Sequence, residues 1–278
     1  MTDVDPLLGT LFAGRFRVAE LIGSGGMATV YRAEHDVMHR QVALKLLHRD
    51  LLADLKIMAR FQIEARAACR VVHPNVTGVY DFGHSEEGLP YLVMEYVEGP
   101  TLAAVLEREG PLGPARALAV LVQVAEGMAA AHEAAVIHRD LKPNNIVLQD
   151  GDRVKILDFG LAKIISPDAP PSLSTVGSTF GTPEYMSPEQ ISGDRVDHRT
   201  DIYSFGVLAY QLLAGRLPFS GALMEVLTAH LDEPPPPLDG SIPPRAAELV
   251  LDCLRKRAAD RPGRAAELAA ALRQIAPA

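Results

Sequence analysis

Apolar and polar positions change period along the chain, and the changes lay out its elements. Phe16-Arg17-Val18-Ala19-Glu20-Leu21-Ile22 alternates in part, as a half-buried strand does. Thr29–Ala33 and Gln41–Leu47 read as two more strands. Gly23-Ser24-Gly25-Gly26-Met27-Ala28 lies between the first two, which makes a hairpin with a glycine-rich tip. From Asp54 to Arg70 the period lengthens to that of a helix, with Phe61, Ala65 and Ala68 on one face. His73-Pro74-Asn75 breaks that pattern. Strands are expected at Val76–Phe82 and Leu89–Glu95, joined by the polar turn Gly83–Gly88. A long amphipathic helix is expected from Gly113 to Ala135, and its stripe of Leu121, Val124, Ala125, Met128 and His132 reads as core. Ile146–Leu148 and Val154–Leu157 flank the turn Gln149–Asp152 and predict a second hairpin. The uncharged run between Asp201 and Arg216 is too short to span a bilayer and reads as a buried helix. Pro-rich Asp232–Pro244 is a surface connection, and helices Arg245–Leu254 and Arg264–Ile275 follow. Residues 1–15 carry no periodic pattern and are expected to form a flexible arm.

Composition narrows the classes. A chain of 278 residues can build two lobes with real cores, and 48% apolar with 22% charged residues is ordinary for a soluble globular protein. A net charge of −8 gives no general basic field, so a nucleic-acid partner is not expected. The two cysteines, Cys69 and Cys253, are expected to be reduced and buried. Asp3, Asp5 and Pro6 stand where a secretory leader would need a basic and then an apolar run.

The chemistry concentrates in His138-Arg139-Asp140-Leu141-Lys142-Pro143-Asn144-Asn145. Pro143 prevents a continuous helix, so a carboxylate, an ammonium and a carboxamide can converge on one point. Phosphoryl transfer needs that set, because its catalysis is mostly positioning and charge neutralisation. Asp158-Phe159-Gly160 follows eighteen residues after Asp140, with the second hairpin between. A carboxylate placed after an apolar strand suits Mg²⁺, which prefers oxygen ligands. Lys45 sits amid apolar residues on the third strand and needs an anionic partner to stay charged there. Residues 161–189 form a Ser-, Thr-, Pro- and Gly-rich segment of a length that is unusual unless functional.

These motifs together resemble the protein kinases. With Lys142-Pro143 after Asp140-Leu141, the chain is similar to serine/threonine kinases of the bacterial eukaryotic-like group, over roughly Phe16 to Ile275. The resemblance implies an α+β, two-lobed kinase fold. A small, mainly antiparallel β lobe with one helix would cover about 16–95, a hinge 95–100, and a larger, mainly helical lobe about 100–276. It also implies roles. Asp140 would accept or orient the substrate hydroxyl proton, Lys142 would neutralise charge on the transferred group, and Thr182 would contact both. Ile22, Gly23, Ser24, Gly25 and Gly26 would cover the ATP phosphates, with Ala28 in place of the family's third glycine. Lys45 would meet the α- and β-phosphates and be aimed by Glu64. Val30, Ala43 and Val147 would sandwich the adenine, Met94 would line the back, and Glu95 and Val97 would answer its edge with main-chain groups. Asn145 and Asp158 would hold Mg²⁺, or Mn²⁺ in its place. Glu189 would pair with Arg261, Asp201 would bond the backbone of the catalytic loop, and Tyr203 stands where the family usually has Trp. A phosphate on the activation loop would bind Arg139, with Ser172, Ser174, Thr175, Ser178 and Thr179 as acceptors and Thr175 and Thr179 favoured.

The implied partners are protein substrates, ATP and a second copy of the chain for autophosphorylation. The implied location is cytoplasmic, either free or as the cytoplasmic part of a longer membrane-anchored kinase. Two rival readings are separable by residue. A pseudokinase scaffold would have lost one of Lys45, Asp140, Asn145 or Asp158, and all four are present. A small-molecule kinase would generally lack the Gly181-Thr182-Pro183-Glu184 and Ser187-Pro188-Glu189 platform.

Overall fold

A six-stranded antiparallel sheet occupies the first part of the chain, in the order β1-β2-β3-β4-β6-β5. The strands are β1 (Leu11–Phe12), β2 (Phe16–Ser24), β3 (Ala28–His35), β4 (Arg40–Leu47), β5 (Val79–His84) and β6 (Pro90–Glu95). The computed structural model describes residues 5–25, 28–158 and 182–276, without the side chains at positions 55–57, 60 and 64. The chain divides into two compact units, Met1–Val72 with Thr77–Glu98 and His73–Val76 with Gly99–Ala278.

In the first unit, alternation decides which face is core. Val42, Leu44 and Leu46 of β4 pack with Phe16, Val18, Tyr31, Ala33, Tyr91 and Val93. The intervening residues of β4 therefore belong to the other face. Register then gathers a set there: Ala43 lies opposite Met94, and Lys45 lies opposite both Val30 and Leu92. Helix α1 (Leu55–Ala68) follows β4 and keeps Phe61, Ala65 and Ala68 buried, as their spacing predicts.

Residues 5–15 do not form the expected flexible arm. Leu11 and Phe12 pair with Arg17 and Phe16. Phe12 is buried edge-on against Tyr91 at 5.4 Å, and the Tyr31 hydroxyl donates to Asp5 at 2.7 Å. Backbone bonds to β2, the Phe12 anchor and the Asp5 hydrogen bond hold the segment, and none of them produces a periodic signal. Met1–Val4 lie outside the described residues.

The fifth strand begins three residues later than its hydrophobic pattern suggests, for a reason visible in the second unit. The Ile156 N–H donates to the Asn75 carbonyl at 2.8 Å, and the Asn75 side chain donates to the Val154 carbonyl at 2.9 Å. Segment 73–76 is thereby committed to the second hairpin, β7 (Ile146–Gln149) and β8 (Arg153–Ile156), where Val76 bridges Ile156.

The rest of the second unit is helical: α2 (Leu102–Glu109), α3 (Pro114–Glu133), α4 (Pro188–Ser192), α5 (Arg199–Ala214), α6 (Leu223–Asp232), α7 (Pro244–Cys253) and α8 (Ala265–Ile275). Helix α5 is the expected buried helix, with Ile202, Tyr203, Phe205, Val207, Leu208 and Tyr210 all at 1% exposure or less. It ends at Gly215, whose φ of 69° is the left-handed cap that glycine adopts without strain. Gly127 lets α3 approach the hairpin, since a Cβ there would lie 2.8 Å from Ile156. Among the described residues no helix is long and apolar enough to cross a membrane. Both cysteines are free; Cys253 is buried as expected, but Cys69 is exposed near the end of α1.

Helix α6 has no counterpart in the hydrophobic pattern and carries a buried imidazole. His230 receives a hydrogen bond from the Tyr203 hydroxyl at Nδ1 (2.8 Å) and donates from Nε2 to the Glu184 carbonyl (3.0 Å). Burial, reinforced by the charge of Lys256, pushes His230 down to about 4. Lys256 caps the same helix, donating to the Ala229 and His230 carbonyls, and burial lowers it to about 8. A folded value below the unfolded one means that the neutral imidazole belongs to the native state. The His230 contribution is complete above about pH 6.5 and is lost as pH falls toward about 4. Denaturant melts at about pH 7.5 and about pH 4 are expected to show wild type losing on the order of 3 kcal/mol more than His230→Gln. Equal losses would remove this assignment.

Candidate active site

The second hairpin fixes the geometry of the catalytic stretch. Ile146 pairs with Ile156, and beyond that pair the Leu157 N–H donates to the Asn145 carbonyl at 2.8 Å. Asn145 and Asp158 therefore stand at the same open end of one ladder. The separation of eighteen residues between Asp140 and Asp158 closes into a single local site because a hairpin folds it back. Asp158 and Arg139 both have positive φ, 56° and 66°. Such backbone is costly for non-glycine residues and persists where surrounding bonds fix it.

Those bonds can be named. The Asp201 carboxylate, with no exposure, accepts from the backbone N–H groups of His138 and Arg139, each at 2.8 Å. His132 donates from Nε2 to the same carboxylate at 2.8 Å. Burial alone would raise the Asp201 carboxyl, but the hydrogen bond and charge of His132 and the Arg139 N–H outweigh it and hold the group below the usual range. His138 turns its ring the other way. Its Nε2 donates to the Leu157 carbonyl at 2.8 Å, and its Nδ1 accepts from the Asp140 N–H at 3.2 Å. One imidazole thus ties the backbone of Asp140 to the residue preceding Asp158. Gln190 of α4 adds a third tie, donating to the Arg139 carbonyl at 2.9 Å.

The side chains of the stretch converge as the motif requires. Lys142 reaches the Asp140 carboxylate at 2.8 Å and donates to the Thr182 hydroxyl at 2.7 Å. Thr182 meets Asp140 through that ammonium. Asn145 donates from its amide nitrogen to the Asp140 carbonyl (2.8 Å) and carboxylate (3.1 Å). Its amide oxygen is thus the atom turned to other use. An amide oxygen and the Asp158 carboxylate suit a hard divalent cation that keeps several of its waters. Asp140 and Lys142 are about a fifth exposed, open enough for a reacting group to approach.

The platform below this site is held by the expected long-range pair. Arg261 donates to both Glu189 oxygens at 2.8 Å, and also to the carbonyls of Arg199, Arg255 and Lys256. Thr200 donates to Glu189 at 2.6 Å. Burial would raise the Glu189 carboxyl, but Arg261 and Thr200 hold it below its ordinary value. Tyr203 places its ring 4.8 Å from the Arg261 guanidinium, so a cation–π contact is kept without the family's Trp.

The remaining predicted residues lie where their elements put them. Val30, Ala43, Lys45 and Met94 share the non-core face of the first unit's sheet. Ile22, Gly23 and Ser24 end β2, with Gly25 just beyond it donating its N–H to the Ala28 carbonyl at 2.9 Å. The strands flanking the tip run longer than their periodicity predicts, to Ser24 and from Ala28. The Glu95 N–H is committed to the Gly78 carbonyl at 2.8 Å, so a main-chain contact from Glu95 to a base edge would come from its carbonyl. Val97 follows β6 and is half-buried. Val147 is buried on β7 opposite Lys155. Gly26, the Glu64 side chain that would aim Lys45, and Phe159 to Gly181 with all five candidate phosphate acceptors lie outside the described residues. His138 and Gln190 carry no role in the sequence reading, where His132 counts as core. For His138 the signal was present, since it opens the motif.

Comparison with known proteins follows the same outline. The family model described as "Protein kinase domain" matches residues 16–272. The serine/threonine-protein kinase pkn3 of Myxococcus xanthus is 46% identical, over 98% of this chain and 52% of that protein. The serine/threonine-protein kinase PknA of Mycobacterium tuberculosis is 40% identical, over 93% of this chain and 60% of that protein. The chain thus spans little more than half the length of these relatives. The crystal structure of the Mycobacterium tuberculosis PknI kinase domain superposes with a TM-score of 0.72 at 30% identity, covering 96% of this chain and 97% of that one.

Proposed function

Because this chain belongs to the protein kinase family, as a catalytic domain of its bacterial serine/threonine group, we propose that it transfers the γ-phosphoryl group of ATP to Ser and Thr hydroxyls of proteins. The family uses ATP and a divalent metal, and we take the metal to be Mg²⁺. The observation that carries the proposal is the contact of Lys142 with both Asp140 and Thr182, with Asn145 bonded to the same carboxylate. In the reaction the substrate hydroxyl oxygen bonds to the γ-phosphorus while the bond from that phosphorus to the ADP oxygen breaks. The hydroxyl proton passes to Asp140 and ADP leaves with the bond pair. Lys142 offsets negative charge on the transferred group, and Thr182 holds Lys142 toward Asp140. Asn145 and Asp158 would hold the cation, which supplies charge neutralisation when bound. Gly23 to Gly26, Val30, Ala43, Lys45, Met94 and the main chain of Glu95 and Val97 would serve the nucleotide, with Val147 against its base.

Autophosphorylation, between two copies of the chain, is part of the proposal, and Arg139 would receive the phosphate. We place the activity in the cytoplasm, where ATP is available. Site mapping of active protein after incubation with MgATP is expected to find phosphate on Thr175 or Thr179. An active preparation with no phosphate anywhere in 161–182 would contradict this part. Transfer to an aminoglycoside or choline but not to protein hydroxyls would overturn the whole.

A further inference from the structure

His132 lies on the apolar stripe of α3, yet its side chain does not serve as filling. We propose that His132 is a positioning residue for the catalytic stretch, acting through Asp201. The Asp201 carboxylate is wholly buried, and a buried carboxylate must be met by donors on every side it presents. Two of its donors are the N–H groups of His138 and Arg139, the residues immediately before Asp140. The third is His132 Nε2, which shares oxygen Oδ2 with the His138 N–H. It is the side-chain donor of the set, and it comes from a different helix. Its neighbour on the other side is the ring of His198, 5.6 Å away and edge-on, whose own Nε2 donates to the Gly263 carbonyl. His132 Nδ1 is buried and has no partner among the described residues.

The consequence is mechanical. Arg139 is held at a positive φ, and its N–H bond to Asp201 is one of the bonds that fix that turn. Without the imidazole, the carboxylate has room to swing or to draw in water, and the two amides lose a rigid acceptor. Asp140 would then sample more orientations.

The test compares His132→Gln with His132→Asn. A Gln amide nitrogen reaches the place of Nε2, whereas an Asn amide nitrogen stops near Nδ1 and cannot donate to Asp201. Amide hydrogen exchange at His138 and Arg139 is the first readout, and it does not depend on activity. In the Asn variant, exchange at these two amides is expected to speed up roughly tenfold or more, with wild-type protection kept in the Gln variant. The second readout rests on the kinase reading above: kcat is expected to fall roughly tenfold in the Asn variant with KM for ATP unchanged, and to stay near wild type in the Gln variant. Wild-type exchange in the Asn variant would overturn the proposal. So would a Gln variant as unprotected as the Asn one, or equal melting losses in both, which would return His132 to the core. An inactive wild type with the exchange pattern intact would fault the kinase reading and leave the positioning role standing.

Discussion

Asp140→Asn is expected to lower phosphoryl transfer by about 10²–10⁴-fold, the range in which a positioned acid–base group contributes. The substitution keeps the shape of the side chain and one carbonyl oxygen for Lys142, which contacts the carboxylate at 2.8 Å. It removes the negative charge and the basic oxygen that takes the hydroxyl proton. Asn145 donates to both the main-chain and side-chain oxygens of Asp140, and its bond to the main chain survives the change. Nucleotide affinity should therefore stay within a few-fold of wild type. The melting temperature should move little, because the amide keeps an oxygen for Lys142 and the bond from Asn145 to the Asp140 main chain survives. Steady-state turnover with a protein substrate, beside calorimetric titration with MgATP, separates these effects. Loss of binding in parallel with loss of turnover would mean that Asp140 organises the nucleotide site instead.

Arg261→Ala is expected to be the most destabilising single change in the second unit. Its guanidinium is wholly buried, gripping Glu189 with two bonds and three backbone carbonyls with others. Removing one member of a buried pair costs about 3–5 kcal/mol, because the partner charge is left without compensation. For a chain of this size that corresponds to a fall in melting temperature of roughly 10 °C. Glu189→Gln should cost less, since the amide oxygen still accepts from Arg261 and the three carbonyls keep their donor. The folded Glu189 carboxyl is held low, so the pair's stabilisation is present above the ordinary carboxylate range and is lost as pH falls below it. Melting curves of the two variants at neutral pH test the order. Equal losses would show that the carbonyl contacts of Arg261 carry no weight.

Much of this site was legible in the letters because its chemistry is local. Asp140, Lys142 and Asn145 lie within six positions, and Pro143 excludes the helix that would separate them. The hairpin signal in 146–157 explains how Asp158 returns to the same point. Other features were invisible for physical reasons. Strand β1 is two residues long, too short to show a period. The N-cap of helix α6 is Ala222, which offers no side-chain acceptor; Glu225 instead reaches back to accept from the Ala222 N–H. Helix α2 did carry a cue, since the Thr101 hydroxyl accepts from the Ala104 N–H. The late start of β5 reflects a competing tertiary pairing at Asn75, which local pattern cannot weigh. Glu189 and Arg261 are 72 positions apart, and His132 and Asp201 are 69 apart. The first pair was found through family resemblance, and the second needed the folded chain.

The most direct test of the central claim is the intact mass of purified protein after incubation with MgATP and a generic protein substrate, beside the Asp140→Asn variant. The account predicts phosphoryl additions on Ser or Thr of both proteins with wild type, and at least about a hundredfold slower addition with the variant. Tight Mg-dependent ATP binding without any addition to either protein would contradict it, and would mean that this intact set of motifs serves binding alone.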